Sequence, residues 1–269
     1  MRVIRHLRSV DVDVLLRDDY VRTPTERQRV WMVNRAVDEL VEALARADAD
    51  AGTLVMGRER TPIEEGAWGT RAASVRDGTL EIAGQSVMQD WEAPLMERMT
   101  QRVCEGGGHV LELGFGLGLS AGMIDGACMR HTVVELNSEV AAAARRWSKT
   151  ATTPTVILEG SWEDVMPQLG SFDGIFMDTF PVDDTEFERV VVRDATVAET
   201  FFAMAAGHLS DRGRLVYYTN EVDSLSRRHQ RALLRSFSRF EVEVVRGLRP
   251  PDDCDYWWHD SMAVVTAYV

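Results

Sequence analysis

Short apolar segments alternate with helical patterns from about residue 90 to the C-terminus, and this alternation constrains the fold more than any other feature. Apolar segments with strand character occur at 109–113, 132–135, 156–158, 172–177, 214–218, 240–245 and 262–269. Apolar strands separated by helices are typical of a parallel sheet that helices cover on both faces. No helix separates the last two segments, so they should pair antiparallel at the sheet edge. The predicted fold is α/β, with a mostly parallel seven-stranded sheet and an antiparallel edge hairpin.

The first 52 residues contain one amphipathic helix rather than further strands. Thr23 as N-cap, Pro24 at the first helical position and Glu26 closing a capping box mark its start. Apolar residues then recur at helical spacing, at Val30, Val33, Val37, Leu40, Val41 and Leu44. Such a helix must pack on something. Residues 1–52 should therefore form a helical extension that covers the main domain or makes a homodimer.

Residues 53–90 show little periodicity and are rich in Gly, Arg, Glu and Thr. We interpret them as a mostly irregular lid or linker, because long segments of this kind often carry binding loops. Residues 91–269 should then form the main domain.

The charge and cysteine content argue against several classes of protein. The 269 residues have a formal net charge of −13, which argues against a nucleic-acid partner and suits a cationic ligand. The three cysteines lie far apart without a CxxC pair, so we expect neither a disulfide framework nor a metal site. No apolar run reaches membrane-spanning length, and the N-terminus lacks the apolar core of a signal peptide. We expect a cytoplasmic protein that does not bind membranes.

The segment from Glu112 to Gly118 ends the first strand of the main domain in a glycine-rich turn and opens a helix. Ligands of open α/β sheets bind at the carboxyl ends of the strands, where glycines let the backbone approach a nucleoside. Glu135 ends the second strand and could take both ribose hydroxyls. Two alternatives stay open. Gly116-x-Gly118-x-x-Ala121 also fits a loose nicotinamide-dinucleotide pattern, and the glycines could serve strand–helix packing alone.

Two further strand ends carry candidate residues. Ser161, Trp162, Glu163 and Asp164 follow the third strand, where an aromatic ring and acids could flank an adenine. Ser161 could also cap a helix, and both interpretations can hold together. Asp178 ends the fourth strand, a common catalytic position beside a cofactor, although it could instead cap the following turn.

Five segments in the same order resemble guanidinoacetate N-methyltransferase and its relatives, the type IV protein arginine methyltransferases. They are WEAPLM (91–96), VLELGFG (110–116), GSWEDV (160–165), FDGIFMDTFP (172–181) and PPDDCDY (250–256). The resemblance runs from about residue 67 to the C-terminus. It implies a Rossmann-like class I methyltransferase fold that uses S-adenosylmethionine and releases S-adenosylhomocysteine.

The resemblance also implies roles for particular residues. Glu92 and Asp178 match the acids that grip the substrate guanidinium and are the predicted catalytic residues, with Met88 in the same pocket. Asn220 and Glu221 fall where the family binds the far end of the substrate. The predicted cofactor-binding residues are Trp68, Met96, Glu112, Gly114, Phe115, Gly116, Leu117, Gly118, Glu135, Leu136, Asn137, Trp162 and Glu163.

The chemistry of a guanidinium agrees with paired acids. Its pKa of about 12.5–13.8 leaves no available lone pair at neutral pH. Two carboxylates can hold its planar fork, draw charge away from the reacting nitrogen and accept the proton that this nitrogen loses. The remaining requirement is positioning of the reacting atoms.

Glu221 suggests which guanidine is the substrate. A carboxylate would repel the carboxylate of guanidinoacetate but welcome an α-ammonium group. We therefore predict that free L-arginine becomes N-methyl-L-arginine in small-molecule, natural-product biosynthesis. The alternatives are guanidinoacetate, which would give creatine, protein arginine, an NAD-dependent oxidoreductase, and a binding module without activity. Glu221 could also point to solvent, and the presence of Glu92, Glu135 and Asp178 together argues against lost activity.

Overall fold

The structure, a computed structural model, describes residues 68–179, 181–182, 186, 200–219, 221, 223–251, 254, 256–257 and 259–269. The predicted N-terminal helix, residues 53–67 of the predicted lid and Asn220 lie outside these residues. The division of the chain at residue 52 therefore stays a prediction. No helix in the described part of the chain is long and apolar enough to cross a membrane.

A small antiparallel sheet precedes the main sheet and consists of β1 (Ala73–Arg76), β2 (Thr79–Ile82) and β3 (Gln85–Gln89). The prediction of a mostly irregular segment over 53–90 is wrong for these residues. Two-residue turns at Asp77-Gly78 and Ala83-Gly84 join the strands, with φ angles of 47°, 76°, 53° and 78°. Positive φ at both positions of each turn matches the twist of a hairpin, so the turns specify the strand pairing. Strands of four or five residues are too short to show a clear alternating pattern in the sequence.

The main sheet contains β4 (His109–Leu113), β5 (Arg130–Glu135), β6 (Thr155–Glu159), β7 (Phe172–Met177), β8 (Leu209–Thr219), β9 (Arg239–Arg246) and β10 (Ser261–Tyr268). Their spatial order is β6-β5-β4-β7-β8-β10-β9. Strands β4 to β8 pair in parallel, and β10 is antiparallel to both β8 and β9. The predicted seven-stranded sheet with an antiparallel edge is confirmed.

The described helices are α1 (Ala93–Cys104), α2 (Leu119–Ile124), α3 (Ser138–Trp147), α4 (Trp162–Val165), α5 (Phe202–Gly207) and α6 (Arg227–Leu233). Two of them are short for identifiable reasons. Helix α2 stops before Gly126, whose φ of 79° is not helical. Helix α4 passes into a 3-10 turn, Met166–Gln168, because Pro167 cannot donate to a helical hydrogen-bond ladder.

Successive residues of the central strands pack into two separate cores, one on each face of the sheet. Val110 belongs to the core that includes helix α1, and its neighbour Leu111 belongs to the opposite core. Val264 and Val265 of β10 divide in the same way. Side chains of a strand alternate between faces, so a sheet apolar at every position must be covered on both sides. This explains the continuous apolar runs in the sequence.

Candidate active site

The C-terminal ends of β4, β5, β6 and β7 open into a cavity of about 610 Å³. Gly114 and Asp178 line it from the ends of β4 and β7, next to the point where the strand order reverses. Glu135 and Gly160 line it from the ends of β5 and β6. The small sheet closes another side with Leu80, Ile82, Val87 and Met88. Ligands of open α/β sheets bind at such a reversal, so the cavity lies where the sequence predicts the site.

The glycine turn brings the backbone close to two predicted substrate residues. A Cβ atom on Gly114 would lie 2.1 Å from the backbone oxygen of Asp178, and one on Gly116 would lie 2.5 Å from Sδ of Met88. Both glycines have positive φ angles, 86° and 53°. Side chains here would therefore displace Asp178 or Met88. The glycines thus serve close packing, and the same packing forms the cavity wall.

Seven of the thirteen residues predicted to bind the cofactor line the cavity: Trp68, Gly114, Gly116, Glu135, Leu136, Trp162 and Glu163. Glu135 is buried, and its two carboxylate oxygens accept hydrogen bonds from the backbone N–H groups of Phe115 and Asn137, both at 2.8 Å. Burial raises the pKa of Glu135, while these backbone donors oppose the rise. The carboxylate is thereby held at the end of β5, where it can meet hydroxyl donors of a ligand.

Asn137 supports the site without lining the cavity. Its side-chain oxygen caps helix α3 by accepting from the N–H groups of Glu139 and Val140, and its amide donates to the backbone oxygens of Trp68 and Arg71, each at 2.9 Å. All of its side-chain hydrogen bonds are thus used within the fold. The side chain of Asn137 therefore contacts Trp68 and helix α3, and its binding of the cofactor stays a prediction.

Glu112 also departs from the prediction. It is fully buried, it accepts a hydrogen bond from Ser120, and its Oε2 lies 2.9 Å from Nε2 of His131. Glu112 is on the same side of β4 as Val110, which belongs to the core that includes helix α1, so its carboxylate points beneath helix α2. It is not among the residues that line the cavity.

Four other predicted cofactor residues lie behind the cavity wall rather than in it. Met96 is fully buried in the core, and Phe115 packs on Trp147 with ring centroids 5.7 Å apart. Gly118 begins helix α2, and the N–H of Leu117 donates to Sδ of Met88 at 3.3 Å. These residues lie in the glycine turn or within the core and do not line the cavity.

Glu92 and Asp178 are distant in sequence, but they lie close enough for the charge of Asp178 to raise the pKa of Glu92. Glu92 is only 4% exposed at the start of helix α1, and Asp178 lines the cavity. Burial and, second, the charge of Asp178 raise the pKa of Glu92 to about 8. Burial also raises the pKa of Asp178 to about 7; a hydrogen bond from Tyr218 opposes the rise, and the charges of Glu112 and Glu135 add to it. Two carboxyls with raised pKa values favour a cation beside them.

The substrate-side residues divide. Met88 lines the cavity as predicted. Glu92 is not among the lining residues, but it is near enough to the lining residue Asp178 for the charge of Asp178 to raise its pKa. Glu221 is held elsewhere: Oε1 accepts from the N–H of Ser226 at 2.7 Å, and Oε2 lies 2.7 Å from Nδ1 of His229. Both oxygens of this carboxylate are thus held by residues at the start of helix α6, as helix N-termini attract negative charge. The structure does not bring Glu221 to the cavity.

Several residues of the site were not predicted from the sequence. Tyr218 lines the cavity beside Asp178, and Tyr256 donates its hydroxyl to Glu92 at 2.6 Å. Glu186 lines the cavity near Glu163, whose pKa it helps to raise after burial. Tyr256 lies in the segment 250–256 that carried the resemblance, so its position was the available signal. Within the described residues, no group of His, Cys, Asp and Glu suited to a metal ion occurs.

The strand order and the cavity at the strand ends define the Rossmann-like fold of the class I methyltransferases. The chain belongs to the guanidinoacetate N-methyltransferase family, whose sequence model matches residues 64–268. The resemblance drawn from the five segments is therefore confirmed.

Curated relatives share part of their length with this chain. Protein arginine N-methyltransferase 2 of Saccharomyces cerevisiae is 27% identical over 66% of this chain and 43% of its own. The enzyme of the same name from Emericella nidulans is 27% identical over 59% of this chain and 38% of its own. The chain thus spans less than half the length of these relatives. Spermidine synthase from Thermotoga maritima shares the fold, with a TM-score of 0.50, 14% identity, and coverage of 70% of this chain and 64% of that one.

Proposed function

We propose that this chain is an S-adenosylmethionine-dependent N-methyltransferase that acts on a guanidino group. The observation that carries the proposal is the pair of linked carboxyls, Glu92 and Asp178, beside a cavity at the glycine turn. Burial makes both acids costly to ionise, and a guanidinium supplies the charge that stabilises both. Its planar fork suits two acceptors better than a compact ammonium does.

The lining residues fit S-adenosylmethionine. Glu135 would hold the ribose hydroxyls, and Trp162 with Glu163 would flank the adenine, with Trp68 closing the site. The carboxylates of Glu163, Asp164 and Glu186 suit a ligand that carries a sulfonium and an ammonium group. When bound, the cofactor supplies an electrophilic methyl group. Gly114 and Gly116 line the cavity with backbone alone, and a nucleoside would lie against them there.

The chain's own residues would hold the guanidinium and take one proton. A guanidinium that gains a methyl group sheds one proton to remain a monocation. Asp178, with a pKa of about 7, is matched to accept a proton near neutral pH, and Glu92 would hold the other side of the fork. The apolar residues Leu80, Ile82 and Val87 keep water from this end of the cavity.

Free L-arginine is the substrate that we propose first, with N-methyl-L-arginine as product in natural-product biosynthesis. The acidic cavity supports this choice, because arginine carries a net positive charge that acidic lining residues attract and guanidinoacetate has no net charge. Protein arginine is the second candidate, because the curated relatives are named protein arginine N-methyltransferase 2. We also propose a cytoplasmic location, no metal requirement and a homodimer formed by the N-terminal helix.

Mass spectrometry of reactions with S-adenosylmethionine tests the proposal directly. The panel comprises L-arginine, guanidinoacetate, agmatine and an arginine peptide, each with wild type, Asp178→Asn and the exposed control Asp211→Asn. We expect a mass gain of one methyl group on arginine with wild type and the control, and little with Asp178→Asn. Preferred methylation of the peptide would favour the second candidate. No product from any member would overturn the proposal.

Ligand binding separates this proposal from a nicotinamide-dependent oxidoreductase. S-adenosylhomocysteine should raise the melting temperature, because a ligand that binds only the folded state stabilises it. NAD should leave the melting temperature unchanged. A shift with NAD and none with S-adenosylhomocysteine would favour the oxidoreductase.

A further inference from the structure

Tyr256 is tied to Glu92 by a specific arrangement of donors. Its hydroxyl donates to Oε1 of Glu92 at 2.6 Å, and the backbone N–H of Gln89 donates to the same oxygen at 2.8 Å. Among the described residues, neither of these donors bonds to Oε2. Both donors thus converge on one oxygen of the carboxylate, and Oε2 receives neither of them.

The ring of Tyr256 is itself held in place. It stacks on Trp91, with centroids 6.0 Å apart and planes inclined by 25°. The indole N–H of Trp91 donates to the side-chain oxygen of Gln89 at 2.8 Å. Tyr256 is thus fixed against the turn that carries Glu92, where its hydroxyl lies 2.6 Å from Oε1 of Glu92 and 3.5 Å from Oε1 of Gln89.

We propose that Tyr256 is a positioning residue that reserves Oε1 of Glu92, so that the substrate guanidinium meets Glu92 through Oε2 alone. This rests on the proposed function. The guanidinium is then held by one oxygen of Glu92 and by Asp178, bridging two residues rather than lying bidentate on one. Such a bridge fixes the rotation of the guanidine plane, which selects the nitrogen that faces the glycine turn.

The Tyr256 hydroxyl also favours the ionised form of Glu92, against the burial that raises the pKa of this group. The groups that face Glu92 are Asp178 after β7, Tyr218 on β8, Tyr256 in the β9–β10 loop and the backbone N–H of Gln89. Burial and Asp178 favour the neutral acid, and only the hydrogen bonds from Tyr256 and Gln89 oppose them. Loss of the Tyr256 hydroxyl should therefore raise the pKa of Glu92 further.

The test is the pH profile of kcat/KM for Tyr256→Phe, which keeps the ring and removes the donor. We expect the acidic limb to move up by about one pH unit. At pH 7 kcat/KM should fall about tenfold, and at pH 9.5 it should lie within about twofold of wild type. The matched control is Tyr268→Phe, which makes the same substitution at the last residue of β10, away from Glu92. Its profile should coincide with that of wild type.

Affinity for S-adenosylhomocysteine gives a readout independent of turnover and should be unchanged in Tyr256→Phe at both pH values. A loss of activity equal at every pH, or a profile that superimposes on wild type, would overturn the inference. A wild-type protein without activity at any pH would instead overturn the proposed function. The two failures are therefore distinguishable.

Discussion

Glu92 and Asp178 contrast with Glu221, although the sequence assigned all three to the substrate. Glu221 receives the N–H of Ser226 and lies against His229, whose Nε2 is 2.5 Å from the hydroxyl of Tyr217. The carboxylate of Glu221 is stabilised by these contacts at the start of helix α6. Asp178 lines a cavity, and its pKa is raised to about 7 because burial is not fully offset. A carboxylate thus becomes a candidate for binding when the fold leaves its charge incompletely satisfied.

The largest effect should come from removing a cavity acid. Asp178→Asn should lower kcat/KM for the methylated guanidine by about 10³-fold, since positioned acid–base groups contribute about 10²–10⁴. Glu221→Gln should stay within about threefold, because Glu221 lies outside the cavity. Initial rates of product formation check both. Equal losses in the two variants would break the distinction between them.

The pH dependence of stability should show the same contrast. Glu92 and Asp178 have folded pKa values above their ordinary ones, so the folded chain binds more protons than the unfolded chain between about pH 4 and 8. Stability therefore falls as pH rises through this window, by on the order of 1–3 kcal/mol. Urea unfolding of ligand-free protein at pH 5 and pH 8 measures the fall.

The double variant Glu92→Gln/Asp178→Asn is the control for that fall, because it cannot titrate at these positions. It should lose less stability between pH 5 and 8 than wild type does. An identical pH dependence in both proteins would show that the two acids are not destabilised by burial.

His229→Ala should destabilise the fold and spare the chemistry. His229 is fully buried between Glu221 and Tyr217, and its loss leaves the buried Tyr217 hydroxyl and the half-buried Glu221 carboxylate without this partner. We expect the free energy of unfolding to fall by about 2–3 kcal/mol. Chemical denaturation measures the loss. Folded His229→Ala with wild-type kcat/KM supports a structural role, whereas a fall of more than tenfold would connect this network to the site.

A smaller effect distinguishes two changes at Glu92. In Glu92→Gln the donors Gln89 N–H and Tyr256 hydroxyl should draw the amide oxygen to the Oε1 position, which aims the NH2 group at the guanidinium. Glu92→Gln should therefore bind arginine about threefold to tenfold more weakly than Glu92→Ala. Calorimetric titration with arginine in the presence of S-adenosylhomocysteine measures the difference. Tighter binding by Glu92→Gln would contradict the assignment of Oε1.

The main sheet could be predicted because its strands are apolar runs separated by helices, and both features are local. The small sheet was missed, although Asp77-Gly78 is a strong hairpin signal, because its strands are too short to show a clear alternation of apolar and polar residues. Glu92 carried no signal of its own and was found only through the resemblance. Tyr218 was missed as a site residue because nothing in a strand sequence says that a hydroxyl will meet a carboxylate. Tyr256 was missed although it lies in a segment that carried the resemblance.

The sequence by itself determined the sheet, the glycine turn and the family, since these depend on periodicity, on backbone angles that only glycine adopts readily, and on ordered motifs. Only the tertiary structure decided which acids serve the cavity. That choice depends on the donors around each carboxylate, and those donors come from residues far apart in the chain. Glu221 meets its donors within the fold, and Glu112 is buried beneath helix α2 with Ser120 donating to one of its oxygens, while Glu92 and Asp178 keep charge that a cation can satisfy.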